Sequence, residues 1–185
     1  MKRIPLSLFT FLFLLSGLCA APTKTVWQIG EKNHSASELA LSPDKYKEFL
    51  ANDFGWEDRF YIIGLSSPQK DFPYVLPGPA DHWGGTSYTA GIRTHVLNIL
   101  FGMKEVPETD SWKLIIDLLD THHELPALFK ITINGKSWKY ALPKGSGKSI
   151  DGDYSQIKPH TIEIPLNSGC LLYTSPSPRD AHESR

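Results

Sequence analysis

The chain has 185 residues, 41% hydrophobic and 21% charged, a composition typical of one globular domain rather than a disordered chain. Nineteen lysines and arginines stand against twenty aspartates and glutamates, and the basic residues are scattered singly. The formal net charge of −1 therefore offers no broad positive field to a nucleic-acid backbone, and we expect no nucleic-acid partner.

The N-terminus has the layout of a secretory signal peptide, which we predict to occupy residues 1–20. Two basic residues precede an apolar run of residues 4–15, and small residues follow near Ala20. This run is too short for a membrane span. Cys19 follows the bulky Leu18, which makes a lipoprotein site the weaker alternative. We therefore expect a secreted or periplasmic protein with no membrane span.

Residues 24–168 form the predicted domain. They contain no cysteine, so a hydrophobic core rather than disulfides must stabilise them. Apolar and polar residues alternate through much of the domain and predict strands in TVWQIG (25–30), DRFYIIGL (58–65), HVLNILFGM (95–103), WKLIIDLLD (112–120) and HTIEIPL (160–166). The segment 112–120 is apolar on both faces, which predicts a central strand covered on each side.

A β-hairpin is the sharpest local prediction. Apolar and polar residues alternate in FKITI (129–133), and KSWKYAL (136–142) resumes the alternation. Between them Asn134 and Gly135 tolerate the positive φ angles of a two-residue turn.

Two segments depart from the β pattern. One short helix is predicted from Ser42 as N-cap and Pro43 at the first helical position. The segment 66–94 is a loop rich in proline, glycine and aromatic residues, and loops of this length are usually functional or disordered. Its aromatic residues argue against disorder. We predict an all-β fold, an antiparallel β-sandwich of jelly-roll type with one short helix.

The long loop carries the candidate ligand-binding residues. Sugars present apolar C–H faces ringed by hydroxyls, so a sugar site needs an aromatic ring with hydrogen-bonding side chains beside it. The loop, the residue that follows it and the segment GWEDR supply eight candidates: Asp81, His82, Trp83, Tyr88, Arg93, His95, Trp56 and Arg59. The alternative is structural, with the tryptophans as core anchors and the arginines paired with neighbouring aspartates.

Two other segments carry possible metal ligands. DLLDTHHELP contains Asp120, His122 and His123, but neighbouring histidines on an extended segment point to opposite sides, which favours a solvated strand end. SIDGDYS contains Asp151 and Asp153 as calcium candidates, although Asp-Gly first of all predicts a turn. We expect no cofactor, with calcium as the alternative.

Signals for enzyme chemistry are few. There is no G-x-S-x-G elbow and no glycine-rich phosphate loop, and both Cys19 and Cys170 lie outside the predicted domain. A carboxylate pair for glycoside hydrolysis stays open, because the separation that decides it is spatial.

Four stretches carry a resemblance to a known family: VWQIGEKNHSASEL, DFGWEDRFYIIG, PYVLPGPADHWGGT and LFKITINGKSWKYALPKGSG followed by DGDYS. They resemble the carbohydrate-binding-type jelly-roll domain, galactose-binding-like in fold, of rhamnogalacturonan lyases (polysaccharide lyase family four, third domain) and related bacterial polysaccharide lyases. The resemblance covers about residues 26–166. It implies a module that assists pectin degradation, with the catalytic residues in another domain of the parent chain.

The last residues depart from that family's pattern at Gly169. Domains of this kind usually finish with a further G-x-N-x-I-x-L strand, whereas here CLLYTSPSPRD resembles translated sequencing adapter. We therefore predict that residues 169–185 are not native, that the sandwich lacks its last strand, and that the chain is an N-terminal fragment. A sheet edge left open in this way favours aggregation.

The leading hypothesis is a secreted, non-catalytic carbohydrate-binding module whose partner is plant cell-wall polysaccharide. The alternative is part of a lyase active site, in which Arg93 neutralises a uronate carboxylate and His82 or His95 acts as base. A third possibility is a structural spacer, with Trp56 and Trp83 buried.

Overall fold

The computed structural model describes residues 24–54, 60–81, 93–103 and 111–171. Regular structure in these ranges is mostly β, which confirms the predicted class: β1 Phe60–Ile62, β2 Asn98–Leu100, β3 Trp112–Leu118, β4 Leu128–Ile133, β5 Lys136–Ala141 and β6 His160–Leu166. The helical segments there are short: the 3-10 turns Tyr46–Glu48 and Ser149–Asp151, and the helices α1 Pro68–Asp71 and α2 Ser168–Leu171. None of these helices has the length and apolar character needed to cross a bilayer.

Strands β3 and β6 form an antiparallel ladder seven residues long, from Trp112 opposite Leu166 to Leu118 opposite His160. The predicted alternation in β6 is confirmed, since its residues are alternately buried and exposed. Strand β3 alternates in the same way, and Ile115 on its outer face is 43% exposed. The prediction of a strand covered on both sides is wrong, because the outer face of β3, which carries Lys113, Ile115 and Asp117, is exposed.

The predicted hairpin of β4 and β5 is confirmed. Phe129 lies opposite Tyr140 and Ile131 opposite Trp138 in an antiparallel ladder. The turn residue Asn134 has φ 46° and is followed by a glycine with φ 84°. Positive φ at both positions is the geometry of a type I′ turn, which matches the right-handed twist of the flanking strands.

The main core lies between these two ladders. Its buried members come from β4, from β6 and from the segment after β6: Ile131, Ile162, Ile164, Leu166 and Cys170. Partly buried inner residues of β3, β4 and β5 pack around them, among them Trp112 and Trp138. Burial of Ile164, which is fully buried, contributes roughly 1.5–3 kcal/mol to the free energy of unfolding. The two ladders are thus layers that face each other across one core.

A second apolar cluster surrounds Phe49, which is fully buried with Ala40 and Phe54. The short helix predicted here is present only as the 3-10 turn Tyr46–Glu48. The predicted start at Ser42 is wrong, because the Ser42 Oγ has no hydrogen-bond partner and so caps nothing. Leu41 and Asp53 have positive φ angles, which ends helical geometry on each side. Burial of the phenylalanines, rather than helix capping, orders this segment.

Strands β1 and β2 form a parallel ladder, which departs from the predicted antiparallel pattern. A parallel pair needs a crossover of a dozen or more residues, and the long loop between these strands supplies it. Both strands end earlier than predicted. Residues 25–30 form no strand, and the Trp27 ring packs instead against Phe101, with 5.1 Å between ring centroids.

The segment after β6 packs against the hairpin. Cys170 is buried in the main core, and its carbonyl oxygen accepts a 2.8 Å hydrogen bond from Asn134 Nδ2. The Cys170 Sγ lies 3.3 Å from Lys136 Nζ and 3.0 Å from Asn167 Oδ1. The predicted boundaries of the signal peptide and of the non-native tail stay predictions.

Candidate functional site

The described half of the long loop is ordered by main-chain pairing. Ala40 N–H donates to the Phe72 carbonyl (2.9 Å), and Tyr74 N–H donates to the Ala40 carbonyl (3.0 Å). The Tyr74 hydroxyl then donates to the carbonyl of Ile150 at 2.6 Å. Burial, with nearby acidic groups and tyrosines, raises the pKa of Tyr74 above its usual range. The loop therefore approaches Asp81 along a fixed path.

Asp81 meets His122, a residue of the turn that follows β3. Its Oδ2 accepts a 2.6 Å hydrogen bond from Gly78 N–H, and its Oδ1 lies 3.9 Å from His122 Nε2. Both side chains are largely buried, at 18% and 22% exposed. A Cβ at Gly78 would press on the Asp81 carboxylate, so the close approach there uses the glycine.

The ring of His122 is oriented by the main chain. Its Nδ1 accepts hydrogen bonds from the N–H groups of Glu124 and Leu125, each 3.1 Å long. An Nδ1 that accepts carries no proton, so the ring proton of the neutral form sits on Nε2, the nitrogen that faces Asp81. We call this arrangement the Asp81–His122 pair.

His123 extends the pair toward solvent. The two imidazoles stack with 4.7 Å between centroids and 19° between planes, and the side chain of His123 is 57% exposed. The expectation that neighbouring histidines point to opposite sides is wrong, because the chain turns here instead of continuing as a strand.

Asp120 anchors this turn to the segment after β5. It accepts hydrogen bonds from Ser146 N–H (2.7 Å), Ser146 Oγ–H and Lys148 N–H (3.2 Å). Burial by itself raises the pKa of Asp120, but hydrogen bonds, first those from Ser146, outweigh it and hold that pKa below its usual value. A Cβ at Gly145 would overlap Thr121 main-chain atoms, so only glycine fits this approach. The predicted solvated strand end is wrong for Asp120, which is partly buried and fully engaged.

The sugar-binding candidates predicted from the sequence do not lie together in the structure. Asp81 joins His122, whereas the His95 ring packs edge-on against Phe49 of the second cluster, with 5.3 Å between centroids. Arg93 lies exposed shortly before β2. The remaining candidates lie outside the described residues: His82, Trp83, Tyr88, Trp56 and Arg59. His122 was absent from the sugar-binding candidates, since nothing local in the sequence links the turn after β3 to the loop before β2.

The calcium candidates lie in the turn that Asp-Gly predicts, where Gly152 has φ 77°. Asp153 Oδ1 accepts hydrogen bonds from Ser155 Oγ–H (2.6 Å) and Ser155 N–H (3.0 Å), and these lower the pKa of Asp153. Within the described ranges no cluster of three or more His, Cys, Asp or Glu is arranged to hold a metal. Calcium at Asp151 and Asp153 stays a prediction.

The Asp81–His122 pair presents a donor and an acceptor side by side. At 3.9 Å the two atoms are too far apart for a direct hydrogen bond. One hydroxyl oxygen placed between them can accept from Nε2–H and donate to the carboxylate. The exposed His123 ring beside them offers a flat face, as a sugar ring requires.

Comparison with known proteins gives one family. The family model described as "CBM-like: Polysaccharide lyase family 4, domain III" matches residues 25–172, well over half of the chain. Neither the curated proteins nor the solved structures gave a match. The match agrees with the β-sandwich layers and with the resemblance noted in the sequence. The chain therefore belongs to the CBM-like family of polysaccharide lyase family 4, domain III.

Proposed function

We propose that this chain is a secreted, non-catalytic module that binds plant cell-wall polysaccharide for the catalytic domain of a rhamnogalacturonan or pectin lyase. Family membership over residues 25–172 carries the proposal. The module would hold the enzyme on its insoluble substrate. It would thereby raise the effective concentration of the catalytic domain at the polysaccharide without taking part in the chemical step.

The Asp81–His122 pair is the candidate contact for a sugar hydroxyl. Its two partners are held by main-chain hydrogen bonds at Gly78 and at the turn after β3, so little ordering is needed when a ligand binds. The aromatic candidates Trp83 and Tyr88 follow Asp81 closely in sequence and would supply the stacking surface.

The packing of His95 favours binding over catalysis. An imidazole that serves as base must reach the proton it removes. The His95 ring instead packs against Phe49, which is fully buried. This position supports a structural role for His95 and weakens the lyase alternative in which it acts as base.

Secretion is the remaining part of the proposal. Its support is the order of basic, apolar and small residues over positions 1–20.

Affinity electrophoresis of the purified chain tests the proposal. We expect retardation in gels containing rhamnogalacturonan or pectin, and none in gels containing an unrelated neutral polymer such as dextran. Migration unchanged by every plant polysaccharide would overturn the proposal. An increase in ultraviolet absorbance from unsaturated uronate products, with the chain alone and pectin, would instead favour the enzyme.

A further inference from the structure

A basic segment runs through the β4–β5 hairpin and the loop after it. Residues 125–150 contain five lysines and neither aspartate nor glutamate, although the whole chain is balanced at 19 basic against 20 acidic residues. The lysines are Lys130, Lys136, Lys139, Lys144 and Lys148. We propose that the outer face of this hairpin binds the carboxylates of an acidic polysaccharide. This inference rests on the proposed function and names the class of glycan.

Two of these lysines lie directly opposite each other. Lys130 pairs with Lys139 in the register of the hairpin, and both are exposed. Like charges in directly opposite positions destabilise a ladder. Among the described residues no carboxylate forms an ion pair with either of them. The fold therefore holds two positive charges close together without neutralising them, and an external anion would relieve the repulsion.

The lysines of the other ladder show the contrast. On the outer face of β3 and β6, Lys113 forms a 3.1 Å ion pair with Glu163. At the same face Lys32 Nζ lies 2.7 Å from an oxygen of Asp117. In the described strands, Lys113 is thus neutralised by a carboxylate, whereas Lys130 and Lys139 are not.

The residues beside the lysine pair suit an acidic sugar. One step along the outer face, Thr132 and Ser137 share a 2.8 Å hydrogen bond and present hydroxyl groups. One step in the other direction Leu128 is 66% exposed opposite Ala141. Apolar, cationic and hydroxyl pairs therefore follow in order over about 13 Å. This span fits successive sugars of an acidic chain, whose C–H faces, carboxylates and hydroxyls the pairs would contact. The face carries no aromatic ring, so charge and hydroxyl contacts rather than ring stacking would hold the polysaccharide here. The same lack of a ring argues against nucleic acid, whose bases are bound by stacking.

Polygalacturonate and its fully methyl-esterified form are the probes, because they share a backbone and differ in carboxylate charge. The full chain is compared with Lys130→Gln/Lys139→Gln, and with Lys45→Gln/Lys70→Gln as a control that removes two exposed lysines elsewhere. We expect the hairpin variant to lose about tenfold in affinity for polygalacturonate, since two exposed ion pairs are lost, and to keep its affinity for the ester. The control variant should match the unmodified chain with both polymers.

The outcomes separate this inference from the proposed function. Binding to both polymers that the hairpin substitutions leave unchanged, or an equal loss in the control variant, would overturn the inference and keep the polysaccharide-binding function. No binding of the unmodified chain to either polymer, or to any other plant glycan, would overturn both. Equal competition by DNA would also overturn it, since the face would then attract any polyanion.

A charge-reversal variant tests whether misfolding, rather than loss of the lysine charge, explains a loss of affinity. In Lys130→Glu a carboxylate faces Lys139, so the thermal midpoint should rise slightly while affinity for polygalacturonate falls. A drop in both would mean that Lys130 is needed for the fold rather than for the ligand.

Discussion

The β3–β6 and β4–β5 ladders share one core but have different outer faces. Their inner residues, such as Ile164 and Ile131, pack in the same cluster. Outside, Lys113 of the first ladder is paired with a carboxylate, whereas Lys130 and Lys139 of the second face each other. Packing of the core requires only that the inner positions of both ladders are apolar. The difference outside is the observation on which the proposed binding role of the hairpin face rests.

Substitutions on the inner and outer faces of one ladder should differ most in their effect on the free energy of unfolding. Ile164 is fully buried, whereas Ile115 of the same ladder is 43% exposed. We expect Ile164→Ala to lower the free energy of unfolding by about 3 kcal/mol, because it leaves a cavity in the core. Ile115→Ala should cost less than about 1 kcal/mol, since its side chain already contacts water. Denaturant unfolding measures both, and equal losses would contradict the assignment of faces.

The hydrogen bonds that connect the end of β3 with the segment after β5 should have the next largest effect. Asp120, after β3, holds the segment after β5 through Ser146 and Lys148. Asp120→Asn should lower the free energy of unfolding by about 1–2 kcal/mol, because a charged acceptor of several hydrogen bonds is replaced by a neutral one. Asp53→Asn is the control, since that aspartate is exposed and its positive φ suits asparagine.

The same junction predicts a pH dependence. The folded pKa of Asp120 lies below its unfolded value, so its stabilisation is present above that unfolded value and is lost as pH falls through the folded pKa. Chemical unfolding between pH 2 and 7 should show a shallower loss at acid pH for Asp120→Asn than for the unmodified chain. Some slope should remain, because Asp117 and Asp153 also have lowered pKa values. Identical slopes would mean that Asp120 does not contribute.

The Asp81–His122 pair predicts a loss of binding without a loss of fold. In His122→Asn the amide oxygen can still accept from the main chain of the turn, as Nδ1 does now, but the Nε2–H donor is gone. Affinity for pectic polysaccharide should fall about fivefold, the value of one hydrogen bond, with the thermal midpoint little changed. His34→Asn, at an exposed position with positive φ, should leave affinity unchanged. Unchanged affinity in both variants would remove His122 from the site.

Short sequence patterns correctly predicted the features that depend only on neighbouring residues. Asn134-Gly135 specified the hairpin because few other residue pairs accept positive φ twice, and strict alternation specified β6. The sequence wrongly predicts that both faces of β3 are covered. Ile115 and Ile116 are adjacent, and an apolar run does not show which of its residues is exposed to solvent.

The site itself was only half predictable. Asp81 was found by its neighbourhood of aromatic and polar residues, but its partner His122 comes from another strand end, and no spacing rule connects them. The helix at Ser42 failed because burial of Phe49 and Phe54 outweighs a capping signal in so short a segment. Features that depend on long-range packing need the fold to be known first.

The outer face of β3–β6 gives the smallest expected effect. Asp117 accepts hydrogen bonds from Lys32 Nζ (2.7 Å) and Thr161 Oγ–H (2.6 Å), and these outweigh burial to lower its pKa. Asp117→Asn should cost about 0.5–1 kcal/mol of unfolding free energy, because the ion pair is exposed to solvent. The difference should shrink in 1 M salt, where exposed charges are screened. A salt-independent loss would mean that the hydrogen bond from Thr161, rather than the charge of Lys32, stabilises this face.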